Sequence, residues 1–184
     1  ISGSGAMNDY SSEINNPWMQ FSGAIKSIEI EEGVESLGSY SFNGCSSLTS
    51  ISIPKSVILI DDNAFSGLIN LESIEVSQEN VNYMTNEGIL YSKDGTKLIL
   101  YPACKDETSI ILPDKINEIK NSAFYGNKKL ESITIPNSIT KIGEQAFRDC
   151  ISLTSFSVSE TNPNYAAING VLYSKATGSL RLLE

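Results

Sequence analysis

Isoleucine returns along this chain at a fixed step. Ile28, Ile51 and Ile74 lie 23 residues apart, Ile110 and Ile133 resume that step, and Phe156 continues it. Around them apolar and polar residues alternate, as in Ile28-Glu29-Ile30, Ile51-Ser52-Ile53 and Ile133-Thr134-Ile135. A period of two marks a short strand with one buried face. A fixed period of roughly 20–50 residues marks a solenoid, whose units bury their apolar faces only by stacking on neighbours. The pattern predicts about six stacked units, near residues 25–48, 49–71, 72–107, 108–130, 131–153 and 154–184, after a capping segment over 1–24.

Within a unit each position has a job. Pro54, Pro113 and Pro136 follow the strand, where a residue without an N–H ends pairing. The step from Val57 to Ile60, or Ile139 to Ile142, predicts a second, less regular extended stretch. Asp61-Asp62-Asn63-Ala64-Phe65 and its equivalents suit a short helical or 3-10 turn, with Asp61-Asp62 as its cap. Phe42, Phe65, Phe124 and Phe147 are expected to stack as an internal spine. The third and sixth units carry longer inserts. Tyr83, Gly88, Leu90, Tyr91 and Leu98 match Tyr165, Gly170, Leu172, Tyr173 and Leu180 at one offset of 82 residues. Ile28 and Ile110 share that offset, so three units form a super-repeat. Lys93-Asp94-Gly95-Thr96 between alternating flanks predicts a β-hairpin, and Lys175-Ala176-Thr177-Gly178 is a weaker form of the same signal.

The run Ile53–Leu71, and Ile135–Leu153 with it, resembles the BspA-like (Treponema-type) leucine-rich repeat family nearly position by position. The N-terminal stretch Ile1–Tyr10, Asn15-Asn16-Pro17-Trp18 and Ile25–Gly38 resembles the entry segment of such domains, and the Asn-Tyr … Leu-Tyr-Ser-Lys inserts resemble those that recur in them. The resemblance implies a leucine-rich repeat solenoid of short strands and short helical or 3-10 turns, two units carrying β-hairpin inserts. It also implies a secreted or cell-surface bacterial protein, adhesin-like in role. Glu31 and Ser77 replace the post-strand proline and Asn127 the usual cysteine or leucine, which affects local packing rather than the fold.

Charge narrows the partners. The 184 residues carry 22 acidic and 13 basic side chains, a net charge of −9. Nucleic acid and anionic membranes need basic patches to neutralise phosphate, so neither is an expected partner. No apolar run approaches the ~18 residues of a membrane span. The chain opens without an initiator methionine or leader and stops inside the second insert, with Leu183-Glu184 resembling a vector remnant. A mature or excised fragment is expected, with any anchor outside it.

Candidate chemistry is sparse. No histidine is present, which removes Ser-His and Cys-His pairs and histidine-ligated zinc. Cys45 and Cys150 sit at equivalent positions four units apart, roughly 19 Å at ~4.8 Å per strand, too far for a disulfide. Cys104 is expected to be a structural thiol. Gly3-Ser4-Gly5 lacks the context of a phosphate loop, and Lys93-Asp94-Gly95 lacks the other ligands of a calcium loop. Carboxylate pairs such as Glu31-Glu32 serve glycoside hydrolysis only when they flank one cleft; on a solenoid they are solvated charges. Neither a catalytic centre nor a cofactor or metal site is expected.

Binding, if any, belongs to the strands. Alternation places Ser27, Ser50, Ser73, Ser109, Ser132 and Ser155 on the outer face, with Glu29, Ser52, Glu75, Ile111, Thr134 and Ser157 two residues on. One row of hydroxyls is expected. It reads either as a ladder of small residues tolerating tight stacking, or as a polar platform for a protein or glycan. The candidate ligand-binding face comprises Ser50, Ser52, Ser73, Glu75, Ser109, Ile111, Ser132 and Thr134. The insert tyrosines Tyr83, Tyr91, Tyr101, Tyr165 and Tyr173 are a second candidate, although recurrence at one offset points to packing. The leading expectation is a non-catalytic extracellular module that recognises a host or neighbouring-cell surface protein or glycan. A structural spacer displaying another domain is the alternative, and an enzyme the third.

Overall fold

Each 23-residue step folds as one turn of a β-solenoid in the computed structural model, which describes residues 1–11, 16–175 and the backbone of 181 and 182. A short strand β1 (Gly5–Ala6) and a single-turn 3-10 helix (Met19–Phe21) precede the repeats. The first unit contributes β2 (Ser27–Glu29) and β3 (Val34–Leu37), and the second β4 (Ser50–Ile53) and β5 (Leu59–Ile60). The third holds β6 (Ser73–Val76), then β7 (Tyr83–Asn86), β8 (Ile89–Ser92) and β9 (Lys97–Leu100). The fourth and fifth contribute β10 (Ser109–Ile111), β11 (Glu118–Ile119), β12 (Ser132–Ile135) and β13 (Lys141–Ile142). The sixth supplies β14 (Ser155–Val158), β15 (Tyr165–Ile168), β16 (Val171–Ser174) and β17 (Arg181–Leu182). β4 and β12 end on the residue before a proline, and β10 ends two residues before Pro113.

First strands pair in parallel with the sequence step as their register. Ile28 lies beside Ile51 and Ile51 beside Ile74; Ile110 lies beside Ile133 and Ile133 beside Phe156. Second strands also pair in parallel, in the orders β1-β3-β5 and β13-β11-β9, and β8 and β7 extend the latter sheet antiparallel. The expected short turn is a chain of i→i+3 hydrogen bonds too brief to become a helix. Ala64 N–H donates to Asp61 O at 3.0 Å and Ser66 N–H to Asn63 O at 3.1 Å. Left-handed residues bracket the turn, with Ser122 at φ 55° and Gly126 at φ 72° in the fourth unit, and that stops propagation. Asp61 caps it as expected, its Oδ1 accepting from Asn63 N–H at 2.9 Å.

The aromatic spine is longer than phenylalanine alone implies. Trp18 stacks on Phe42 at 6.4 Å between ring centroids, and Phe42 on Phe65 at 5.9 Å. Tyr101 stacks on Phe124 at 5.0 Å, and Phe124 on Phe147 at 5.4 Å. Tyr101 takes the equivalent place in the third unit, its N–H donating to Ala123 O as Phe124 N–H does to Ala146 O, but among the described residues no ring pair joins Phe65 to Tyr101, so the single spine expected from sequence is two stacks.

The inserts are structural walls. β8 and β9 form the expected hairpin across Lys93–Thr96, and β7 adds a second through a two-residue turn at Glu87-Gly88. Both turn residues have positive φ, 52° and 76°, as a primed turn requires. The sixth unit repeats this turn at Asn169-Gly170, with φ 52° and 80°. Leu180 and the Ala176–Gly178 part of the weaker turn lie outside the described residues. The β8–β9 hairpin is apolar on both faces: Leu90 and Leu100 join the core of the first three units, whereas Ile89, Tyr91 and Leu98 join the core of the rest.

The Lys93–Thr96 turn is organised by one carboxylate. Asp94 Oδ1 accepts from Ser92 Oγ at 2.6 Å, Thr96 N–H at 3.0 Å and Thr96 Oγ1 at 2.9 Å. The Ser92 hydroxyl first, then the Thr96 amide and hydroxyl, hold its acidity at about 2. A depressed folded value means its stabilisation is full above the ordinary aspartate range near ~3.9 and fades as pH falls through about 2. A carboxyl NMR titration is expected to give Asp94 a midpoint near 2; a midpoint near ~4 would mean the turn is not closed by this side chain.

Candidate binding surfaces

The strand face has the expected polarity. Ser27 and Glu29 flank buried Ile28, Ser50 and Ser52 flank buried Ile51, and Ser73 and Glu75 flank buried Ile74, so the flanking side chains point outward. Parallel pairing puts Ser27, Ser50 and Ser73 in one row and Glu29, Ser52 and Glu75 in the next. Ser109, Ser132 and Ser155, with Ile111, Thr134 and Ser157, repeat both rows in the second half. Ile111 is 77% exposed, an apolar side chain alone among hydroxyls.

The single row expected from sequence is two rows of three. β2-β4-β6 and β10-β12-β14 are separate sheets, because the insert takes the next place beside β6. Ile74 N–H donates to Gly88 O at 3.1 Å, and a Cβ at Gly88 would sit 3.2 Å from Ser73 Cβ. The hairpin therefore rests on the edge at Ser73, and both the close approach and the φ of 76° favour glycine there. Gly170 does the same at β14, where its O accepts from Phe156 N–H at 2.7 Å. Thus Ser50, Ser52, Ser73 and Glu75 come together on one sheet, and Ser109, Ile111, Ser132 and Thr134 on the other. The two sheets differ in charge: Glu29 and Glu75 flank Ser52 on the first, while the matching residues of the second are neutral. Shallow depressions of about 490 and 370 Å³ cross the first sheet, bordered by Glu29, Ser52 and Glu75.

Four of the five insert tyrosines are spent on packing, and Tyr173 is half-buried. Tyr91, Tyr101 and Tyr165 are buried. The Tyr83 oxygen accepts from Ile60 N–H at 2.9 Å, and Tyr165 from Ile142 N–H at 2.8 Å. Each phenol thus caps the outer N–H of a two-residue edge strand, β5 or β13. Burial, first of all, pushes both phenols above their ordinary acidity value. Tyr101 is pushed up further, by burial and then by its hydrogen bond to Glu107 at 3.0 Å.

Sequence reasoning missed two clusters. Glu118, its side chain 12% exposed, lies 2.9 Å from Lys141, 3.4 Å from Lys97 and 3.8 Å from Lys120. Burial pushes its carboxyl up, but the Lys141 hydrogen bond and the three ammonium charges outweigh burial and hold it below the usual range. Lys120 also bonds Asp62 at 2.7 Å, joining the second unit to the fourth across the insert. Lysine and glutamate 23 residues apart, as in Glu118 and Lys141, carried that signal. The second cluster is buried Asn80 and its copy Asn162, both visible in the repeated Asn-x-Asn-Tyr. Cys45, Cys104 and Cys150 are free thiols; burial pushes Cys45 up, and Cys150 to about 11. No group of three or more metal-ligating side chains gathers among the described residues, and no described helix is long and apolar enough to cross a membrane.

Comparison with known proteins agrees with this architecture. The family model for the BspA type leucine-rich repeat region matches residues 12–100 and 98–174, in six copies. No curated protein matches the chain. Among solved structures, the pneumococcal vaccine antigen PcpA aligns at 26% identity and a TM-score of 0.65, over 74% of this chain and 40% of that one. A leucine-rich cell surface protein of Faecalibacterium prausnitzii aligns at 27% identity and a TM-score of 0.60, over 73% of this chain and 42% of that one. A leucine-rich repeat protein of Eubacterium ventriosum, at 24% identity and a TM-score of 0.51, covers 85% of this chain and 66% of that one, and shows the fold alone. The chain therefore spans between two fifths and two thirds of these proteins.

Proposed function

The chain belongs to the BspA-type leucine-rich repeat family, and on that premise we propose that it is a non-catalytic recognition module of a secreted or cell-surface bacterial protein. It binds a host or neighbouring-cell surface protein or glycan through its strand face. The observation that carries this reading is the outward row of Glu29, Ser52 and Glu75 beside Ser27, Ser50 and Ser73, two in-register polar rows over a buried isoleucine ladder. Such a face holds hydroxyls and carboxylates at fixed spacing on a rigid backbone, so little ordering cost attends binding. The names of two structural relatives, a cell surface protein and a vaccine antigen, support the location.

The test is binding of the purified chain to a panel of matrix proteins, mucins and glycans, beside the double variant Ser52→Arg/Glu75→Arg. Both side chains reach solvent, so the variant is expected to fold normally and to lose affinity at least about tenfold. Binding equal in both proteins would remove the strand face from the proposal. No binding across the panel would favour the spacer reading instead.

A further inference from the structure

On the other side of the solenoid a groove of about 520 Å³ lies between β5 and the Lys93–Thr96 hairpin. One wall is apolar and wet: Ile58, Leu59 and Val81 are 56%, 61% and 74% exposed. The facing wall carries Lys93 and Lys97, and half-buried Ile99 also lines the groove. Large aliphatic side chains gathered in solvent cost solubility and mark contact surfaces.

The repeat itself supplies a control. At the 82-residue offset, Ile58, Leu59 and Val81 correspond to Thr140, Lys141 and Pro163. The second super-repeat builds the same β13 edge, with the same tyrosine cap, from those residues. The apolar trio is therefore not demanded by the fold.

Charge selects the occupant. Lys93, Lys97 and Lys120 line the groove, and Lys141 joins them through Glu118, on a chain of net charge −9. Glu118 is shared by three of them, Asp62 pairs with Lys120, and Asp94 is turned into its own loop. Lys97 stays 48% exposed on a shared carboxylate, and Lys93 donates to the Gln78 carbonyl at 3.3 Å and has no carboxylate partner among the described residues. Both ammonium groups keep donors for an incoming carboxylate. The outer N–H of Ile60 is already taken by Tyr83, so a partner cannot dock there by adding a strand to β5 and must engage side chains.

We propose that this groove is a second docking site, separate from the strand face, and that it takes a peptide segment of a partner protein presenting bulky apolar side chains beside aspartate or glutamate. The apolar side chains cover Ile58, Leu59 and Val81, and the carboxylate meets Lys93 and Lys97.

The experiment is selection of a displayed library of random 12-residue peptides on the intact chain, followed by affinity measurement for the enriched peptides. Enriched sequences are expected to pair large apolar residues with Asp or Glu. They should lose about tenfold or more on Ile58→Thr/Leu59→Gln, and again on Lys93→Glu, while Ser52→Arg/Glu75→Arg leaves them unchanged. Thr140 already occupies the position of Ile58 in the second super-repeat, and unchanged urea midpoints would show that the variants fold. A selection that enriches nothing would overturn the proposal. So would binders without acidic residues, or binders indifferent to the Ile58/Leu59 variant. Binders abolished only by Ser52→Arg/Glu75→Arg would overturn it while leaving the strand-face reading intact.

Discussion

Phe124→Ala is expected to cost about 3–5 kcal/mol of folding stability, read as the change in urea unfolding free energy. The ring is fully buried, with Tyr101 at 5.0 Å on one side and Phe147 at 5.4 Å on the other. Truncation removes its transfer free energy and both stacking contacts, each worth roughly 0.5–1.5 kcal/mol beyond area. The cavity cannot collapse easily, because backbone hydrogen bonds fix the turns around it. Phe124 N–H donates to Ala146 O at 2.8 Å, and Cys150 Sγ donates to Phe124 O at 3.0 Å. Phe65→Ala belongs at the lower end of the same range, since Phe65 is 8% exposed and its one stacked partner among the described residues, Phe42, lies 5.9 Å away. A loss under ~1 kcal/mol at Phe124 would mean that the spine does not hold the units together.

The difference between those two positions shows what was legible in the sequence. The 23-residue step identified the strands, their parallel register and which side chains face out, because a period of two on a period of 23 leaves one solution. It also identified the phenylalanine stack. It did not identify Trp18 and Tyr101 as members of that stack, since neither sits in a phenylalanine context. Nor did it show that the serine row breaks after Ser73. That break depends on Gly88 approaching an edge strand from fifteen residues downstream, and no periodicity encodes it. The Asn169-Gly170 pair was a readable turn signal, and with it the β15–β16 hairpin was available from sequence alone. The tyrosines recurred visibly, but their role depends on hydrogen bonds to Ile60 and Ile142, each 23 residues earlier. The docking groove is the least legible feature. Ile58 and Leu59 read as repeat positions until their exposure is seen beside Thr140 and Lys141.

Asn80→Ala is the second large expected effect, about 3–5 kcal/mol, for a reason unrelated to cavity size. The Asn80 side chain is fully buried and uses all four of its hydrogen-bonding positions. Nδ2 donates to Pro54 O at 2.8 Å and Val57 O at 2.9 Å; Oδ1 accepts from Asn82 N–H at 2.9 Å and Tyr83 N–H at 2.8 Å. Alanine leaves two carbonyls and two amides unpaired between units, each costing about 1–3 kcal/mol where water cannot enter and less where it can. It also frees the start of β7, and so the Tyr83 phenol that caps Ile60. Asn162 makes the same four contacts, to Pro136 O, Ile139 O, Asn164 N–H and Tyr165 N–H, so Asn162→Ala should lose a similar amount. Asn80→Asp separates hydrogen bonding from shape. A carboxylate keeps both acceptor contacts but turns a lone pair toward the two carbonyls, so this position should raise its pKa above the unfolded value near ~3.9. A raised folded value stabilises below the unfolded one and is lost as pH rises, so the deficit of Asn80→Asp against the native chain should be largest at neutral pH and shrink on acidification. Urea unfolding at pH 7 and pH 4 would read this. An alanine loss under ~1 kcal/mol, or an aspartate deficit independent of pH, would show that the asparagine is not the clasp between units.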